Sequence, residues 1–180
     1  MECREYLEAF DEILCTMKVK MLSNCFANDI TTYFIKCMIP HHRAAIYMCE
    51  NLLQFTDDEA LIHISKNIIK TQMMGIKRMQ KIYETTAGCY NPREGVNCYV
   101  QNYMMITKNM VAKMRNAPRC EDINLNFVNE MIPHHEGAIA MCDNLIKYYI
   151  DPRLGEVARS IIEEQSRGVE NLKQIHKKLC

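Results

Sequence analysis

Apolar side chains recur at intervals of three and four residues through most of the chain. Residues at that spacing share one face of an α-helix, so the pattern predicts helices separated by short breaks. The predicted helices run over about 3–22, 29–55, 58–84, 94–115, 122–148 and 151–178. Only six glycines and five prolines interrupt the chain, which favours long helices and an all-α fold.

Short polar side chains stand at the predicted ends of the helices. Residues of this kind cap a helix by accepting hydrogen bonds from its first backbone N–H groups, and the candidates are Asn28 or Asp29, Asp122 and Asp151. Residues 56–58 separate the second helix from the third, and residues 85–92 separate the two halves of the chain. Pro40 and Pro133 fall inside predicted helices, where each removes a hydrogen bond, so either the helix kinks or a new one begins there.

The second half of the chain repeats the first at a spacing of 93 residues. The alignment needs almost no gaps, and between residues 38 and 53 it keeps 11 of 16 residues identical. We therefore predict two three-helix repeats, residues 1–86 and 87–180, that share one core and form a single domain. The expected architecture is a ferritin-like helical bundle, with four long helices related by a pseudo-twofold axis and the two leading helices packed alongside.

The charge balance narrows the classes of partner. Lys plus Arg and Asp plus Glu both number 22, so nothing indicates nucleic acid or an acidic membrane surface. No apolar run is long enough to span a bilayer, and the first residues lack the basic and apolar regions of an export signal. The expected location is cytoplasmic, unless a leader has been removed, and there the ten cysteines remain thiols. A homodimer is left open.

The strongest similarity between the repeats falls on a run of soft metal ligands. MIPHHRAAIYMC begins at Met38 and MIPHHEGAIAMC begins at Met131. The side chains kept in both copies, which are our first candidate ligands, are Met38, His41, His42, Met48, Cys49, Met131, His134, His135, Met141 and Cys142. Thioethers, thiolates and imidazoles suit Cu(I) or Ag(I), and His with Cys also leaves zinc open. The sequence therefore predicts a soft-metal site, with Cu(I) favoured.

Helix geometry limits which donors can share an ion. Met38 and Met48 are about 15 Å apart along a helix axis, so they cannot bind the same ion. The motif therefore supplies two groups of donors at different heights along the helix, which we call levels: Met38 with His41 or His42, and Met48 with Cys49. Other helices would complete each level, and the candidates there are Met17, Met21, Met110, Met114 and the amides of Gln72 and Gln165. Against this, methionine stripes are often core filler, and a buried histidine is often held only by hydrogen bonds.

The M-x-P-H-H-x-x-A-x-x-M run, followed some 30 residues later by I-I-x-x-Q, resembles the domain-of-unknown-function 305 family. The resemblance covers about 28–84 and 121–178. That family is a ferritin-like four-helix-bundle group that includes the CopM-type copper-binding proteins. The resemblance implies that Met38, His41, His42, Met48 and their counterparts bind copper or silver, in metal sequestration or resistance.

Three function classes remain distinguishable. The first is a non-enzymatic protein that binds and buffers a soft metal. The sequence does not identify a partner protein that would deliver the metal or receive it. The second is a structural or partner-binding helical bundle without metal. The third is a ferritin-like di-iron oxidase, which needs Glu-x-x-His on paired helices; the repeats contain no such doubled motif, so this class is the least favoured.

Overall fold

The computed structural model describes residues 1–23 and 29–179, and within them the chain forms six helices and no strand. The helices are α1 (Glu2–Ser23), α2 (Ile30–Leu52), α3 (Glu59–Thr85), α4 (Arg93–Arg115), α5 (Ile123–Leu145) and α6 (Pro152–Leu179). The predicted all-α fold, with three helices in each half, is confirmed. Among the helices described, none combines the length and the apolar character needed to span a bilayer.

Aspartates cap the helices at the predicted breaks. The side chain of Asp29 accepts a hydrogen bond from the N–H of Thr32 at the start of α2, and Asp122 caps α5 in the same way. Asp151 accepts from the N–H of Arg153 at 3.0 Å and so begins α6. Asn28, the alternative cap for α2, lies outside the described residues.

Helices α2, α3, α5 and α6 form the bundle, because α2 packs on α3 and α5, and α6 packs on α5 and α3; the leading helices α1 and α4 are about as long as α2 and α5. The leading helices lie alongside: α1 packs on α2, and α4 packs on α5 and on α1. The same buried amide joins each leading helix to its neighbour. Asn51 donates to the carbonyl of Tyr6, and its counterpart Asn144 donates to the carbonyl of Tyr99. The repeat is therefore visible in individual contacts.

Two predicted helix ends are wrong by three residues. α2 ends at Leu52 rather than near 55, and α5 ends at Leu145 rather than near 148. In both places the chain turns so that an aromatic ring packs edge-on against the leading helix: Phe55 lies 6.2 Å from the ring of Tyr6, and Tyr148 lies 5.4 Å from the ring of Tyr99. Burial of these rings competes with one more turn of helix.

Both motif prolines lie inside continuous helices, so no new helix begins at Pro40 or Pro133. Each proline is ten residues after the first residue of its helix and stands directly before a His-His pair. Each of these two helices packs against neighbours on three sides, and this packing keeps it continuous although the proline removes one backbone hydrogen bond.

Candidate metal centre

The four histidines of the repeated motif meet in the middle of the bundle. All four are at most 2% exposed. The rings of His41 and His134 stack across the interface between α2 and α5, with centroids 3.8 Å apart and planes inclined by 30°. His42 and His135 flank this stack, each about 6 Å from the preceding histidine of its own helix. The two repeats thus contribute to one cluster rather than to two separate ones.

Two glycines make room for the outer imidazoles. A Cβ placed on Gly75 of α3 would lie 2.8 Å from Nε2 of His42, and one on Gly168 of α6 would lie 2.5 Å from Cδ2 of His135. Real carbon contacts are longer, so only a residue without a side chain lets α3 and α6 come this close to the rings. The repeat keeps both glycines because both outer histidines need the same space.

Most of the imidazole nitrogens in the cluster have no hydrogen-bond partner. The unpartnered buried atoms are Nδ1 and Nε2 of His41 and Nδ1 of His42, His134 and His135. His134 Nε2 lies 3.2 Å from the carbonyl oxygen of His41. Because a carbonyl oxygen only accepts, His134 must carry its proton on Nε2, which leaves Nδ1 with a lone pair free to bind a metal.

Burial keeps the cluster neutral. It lowers the pKa of His42 to about 3 and that of His134 to about 4, with the other imidazoles and backbone carbonyls as smaller influences. Burial and the neighbouring imidazoles lower the pKa of His41 and of His135 well below the usual value. Neutral imidazole is the form that binds metal ions, so the donors need not lose protons at physiological pH.

The cysteines of the motif are held as thiols. Cys49 and Cys142 are fully buried, and burial raises the pKa of both far above the usual value for a thiol. Metal binding to either would therefore have to displace a proton, because the thiolate is the ligand. Their role as ligands stays a prediction.

The four methionines of the motif lie in the same core as the histidines. Met38, Met48, Met131 and Met141 are at most 1% exposed. On a helix, Met38 lies one turn before both His41 and His42, so its thioether remains the donor nearest to this pair by sequence. These assignments also stay predictions.

The methionines of the leading helices occupy a different position. Met17 lines a groove of about 210 Å³ with Pro40, Ala44 and Tyr47, and the sulfur of Met110 lies against Gly137, the counterpart of Ala44. His42 and His135 instead rest against Gly75 of α3 and Gly168 of α6. Met21 and Met114 are buried on the same two leading helices. That these four methionines complete the donor levels of the motif stays a prediction.

Gln72 and Gln165 lie beside the outer histidines. Both line a cavity of about 240 Å³ between α3 and α6, and one wall of this cavity is the ring of His135. Each amide is buried, and each Oε1 atom lacks a hydrogen-bond partner. The two amides are therefore placed to orient an imidazole or an ion at this end of the cluster.

The donor set suits copper, although the present ring orientations do not yet form a coordination shell. Within residues 1–23 and 29–179, no three His, Cys, Asp or Glu side chains form a group that could hold a metal ion. Methionine sulfur also binds Cu(I), and buried methionines lie in the same core. Buried imidazole nitrogens without partners are costly, and rotation of the rings towards a common ion would satisfy them.

Glu130 is a buried polar residue that the repeat comparison passed over, because its counterpart is Cys37. It is 1% exposed, and the hydroxyl of Tyr6 donates to its Oε2 at 2.7 Å. Burial raises the pKa of Glu130 to about 8, against the opposing effects of the Tyr6 hydrogen bond and the charge of Arg119. Glu130 lies one turn before His134 on α5, so a mostly protonated carboxyl borders the histidine cluster at neutral pH.

Adding a methyl group at either cluster glycine is expected to destabilise the fold. Gly75→Ala and Gly168→Ala force the Cβ into His42 and His135, and overpacking of this kind costs about 1–3 kcal/mol. Gly95→Ala is the matched control, because nothing lies within 4 Å of its added Cβ and alanine favours a helix by up to about 1 kcal/mol. Urea unfolding of the reduced, metal-free proteins measures the difference. Equal midpoints for all three variants would mean that the rings do not rest on these glycines.

Two solved structures share this fold. CopM in its Cu(II)-bound form matches with a TM-score of 0.63 and 25% sequence identity, over 83% of this chain and 97% of that one. A DUF305 fragment from Deinococcus radiodurans matches with a TM-score of 0.60 and 20% identity, over 83% of this chain and 96% of that one. The second likeness concerns the fold alone.

The family profile described as "Domain of unknown function (DUF305)" matches residues 8–83 and 92–176, one match for each repeat. No curated protein matches the sequence. The resemblance that rests on the His-His motif is thereby confirmed. Because the two matched segments together cover most of the chain, this protein is a member of the DUF305 family.

Proposed function

We propose that the protein binds copper, as Cu(I), in one centre built by the His-His pairs of both repeats, and that it sequesters the metal rather than catalysing a reaction. The observation that carries this proposal is the group of buried imidazole nitrogens without hydrogen-bond partners. Buried polar atoms usually have hydrogen-bond partners, and here several nitrogen atoms without one lie in a single cluster. A metal ion is a partner that suits several neutral imidazoles gathered in one buried place.

The stacked pair supplies the centre of the proposed site. His134 has a free lone pair on Nδ1, and neither nitrogen of His41 makes a well-formed hydrogen bond, although the backbone of His134 lies close enough to raise the pKa of His41 against the effect of burial. His42 and His135 border the pair on the sides of α3 and α6. Since all four rings are neutral, a cation can enter without repulsion from imidazolium groups.

The sulfur donors favour soft metal ions over hard ones. Thioethers bind Cu(I) or Ag(I) and have little affinity for hard ions, and the buried methionines Met38 and Met131 are the nearest by sequence to the histidine pairs. The Cu(II)-bound state named for CopM supports copper over zinc. Imidazole binds both oxidation states, whereas sulfur donors favour the reduced one, which is the reason for proposing Cu(I).

The test is a Cu(I) titration of the reduced, metal-free protein in competition with a chromogenic Cu(I) chelator. The protein has many thiols, so a second sample is first alkylated in the folded state, which blocks exposed cysteines such as Cys15, Cys98 and Cys120 and spares the buried ones. We expect the alkylated protein to take up at least one Cu(I) per chain, with nitrogen ligands visible by X-ray absorption. If alkylation abolishes uptake, the ions bind to surface thiols and the bundle has no internal centre.

A further inference from the structure

Two cysteines that are far apart in the sequence meet at one end of the molecule. Cys3 lies in the first turn of α1, and Cys120 lies in the loop between α4 and α5. The thiol of Cys3 donates to the carbonyl oxygen of Cys120 at 3.3 Å. Neither residue has a cysteine counterpart in the other repeat, so the contact does not belong to the duplicated metal motif.

The side chain of Asn126 holds both residues. Its amide nitrogen donates to the carbonyl of Cys120 at 2.8 Å, and its oxygen accepts from the N–H of Cys120 at 2.9 Å. The same amide lies 3.7 Å from the sulfur of Cys3 and 3.7 Å from the sulfur of Cys120. Asn126 is itself fully buried, so the two thiols converge on a fixed point of α5.

A second link holds the loop against α1. Arg119, next to Cys120, makes two hydrogen bonds to the carboxylate of Asp11, and its guanidinium lies 5.8 Å from the ring centre of Phe10. The loop is therefore docked on α1 before any bond forms between the cysteines.

The contact places the two cysteines near the separation that a disulfide spans, and formation of the bond requires Cys120 to move towards Cys3. A cysteine sulfur and a carbonyl oxygen each lie about 2–3 Å from their own Cα, so the observed contact limits the Cα separation of Cys3 and Cys120 to about 9 Å. Disulfides span about 4.4–6.8 Å between Cα atoms. Cys120 is exposed, and rotation about its χ1 can turn the sulfur towards Cys3.

We propose that Cys3 and Cys120 are a redox modification site, at which peroxide converts the two thiols into a reversible disulfide. The more exposed Cys120 thiolate attacks one oxygen of hydrogen peroxide; the O–O bond breaks and, with one proton, gives a sulfenic acid and water. The Cys3 thiolate then attacks that sulfur, forming the S–S bond and releasing the second oxygen as water. In total, two thiols and one peroxide give one disulfide and two waters. Burial and the charge of Glu121 raise the pKa of Cys3, consistent with its acting second.

The bond would join the start of the first repeat to the start of the bundle helix of the second. It closes a loop of 117 residues, and loops of this size give disulfides their largest stabilising effects. The linked residues lie at the end of the bundle where Tyr6 donates to Glu130. Oxidation would therefore stiffen the contact of α1 with α5 without entering the histidine cluster.

The experiment uses metal-free full-length protein treated with hydrogen peroxide and then digested without reduction. We expect mass spectrometry to find the Cys3 and Cys120 peptides joined, and the thermal midpoint to rise by about 10 °C relative to the reduced protein. Dithiothreitol should reverse both effects. The variants Cys3→Ser and Cys120→Ser should fold and lose both, whereas Cys15→Ser, which removes an exposed thiol elsewhere on α1, should retain them.

Two outcomes would overturn the proposal. One is a wild-type digest in which Cys3 and Cys120 are oxidised separately to sulfinic acids or are joined to other cysteines. The other is a digest in which the two peptides are joined although oxidised wild type and oxidised Cys120→Ser have the same thermal midpoint. The disulfide would then not stabilise the folded contact.

Discussion

Replacing His41, His42, His134 and His135 together by alanine is expected to weaken Cu(I) binding by at least about a hundredfold, or about 2.7 kcal/mol, while the protein remains helical. The variant removes every imidazole that the structure brings to the centre of the bundle. The donors that remain there are thioethers, protonated thiols and the amide oxygens of Gln72 and Gln165. The loss should appear in the competition titration of the alkylated protein, and far-UV circular dichroism reports the helix content.

The controls separate loss of the site from loss of the fold. Alanine leaves a cavity in a closely packed core, which is destabilising, although removal of unpartnered imidazole nitrogens offsets part of that effect. A second variant with leucine at the same four positions keeps more of the volume and also lacks nitrogen donors. His63→Ala removes an exposed histidine and should bind Cu(I) like the wild type. Wild-type affinity in both quadruple variants would remove the histidines from the site.

The helices were predictable from the sequence because their apolar residues recur at the helical period. In α1 they form one buried stripe that includes Phe10, Leu14 and Met17, whereas α2 and α5 bury most of their surface. Aspartates at the breaks accept backbone hydrogen bonds as capping chemistry requires. The family, too, was accessible, since the doubled His-His motif is a local pattern. Neither result depends on knowing which helices touch.

The arrangement of the site could not be predicted, because it depends on contacts between helices. The repeat identified both histidine pairs but left open whether they form one shared site or two separate sites, and it gave no sign that His41 stacks on His134 across the pseudo-twofold axis. Gly75 and Gly168 were visible as an aligned pair, yet their purpose appears only when α3 and α6 lie against the imidazoles. Methionines on α1 and α4 were candidates because they recur in both repeats, but only the structure shows that Met17 lies beside Pro40 and Ala44 and that Met110 lies against Gly137.

Comparing the two repeats could not identify Glu130. The comparison selects residues that both repeats share, and the first repeat has Cys37 at the position of Glu130. A buried carboxyl is also hard to infer from sequence, because glutamate at a helix position is usually exposed. Its partner Tyr6 lies 124 residues away. The asymmetry means that one repeat has a titratable group beside its histidines where the other has a thiol.

The metal-free protein is expected to unfold in mild acid, because its histidines are buried in the neutral form. The pKa of His42 is about 3 in the folded protein and that of His134 is about 4, against a usual value of 6.5. The unfolded chain therefore binds protons first. The stability contributed by these groups is fully present above pH 6.5 and is lost as the pH falls towards their folded values.

The loss of folding free energy depends on how far the pKa of each histidine in the folded protein lies below its usual value. Each pH unit below 6.5 removes about 1.4 kcal/mol for each histidine that stays neutral in the fold, so His42 and His134 together remove about 5 kcal/mol by pH 4.5. His41 and His135 act in the same direction. Glu130 opposes them: its pKa is raised to about 8, so its contribution grows as the pH falls from 8 to its usual value of 4.5. One carboxyl cannot balance four imidazoles, and proteins of this kind are stable by only about 5–15 kcal/mol.

We therefore expect the reduced, metal-free protein to lose its fixed tertiary structure between about pH 6 and 4. Tyrosine fluorescence and near-UV circular dichroism measure the transition, since the chain has nine tyrosines and no tryptophan. The quadruple leucine variant is the control, because it lacks the four titrating groups and should unfold at a clearly lower pH. Coincident acid transitions in the two proteins would show that the imidazoles are not held neutral by burial. Protein loaded with Cu(I) should unfold at a lower pH than the metal-free protein, because protons must then compete with the metal for the same nitrogen atoms.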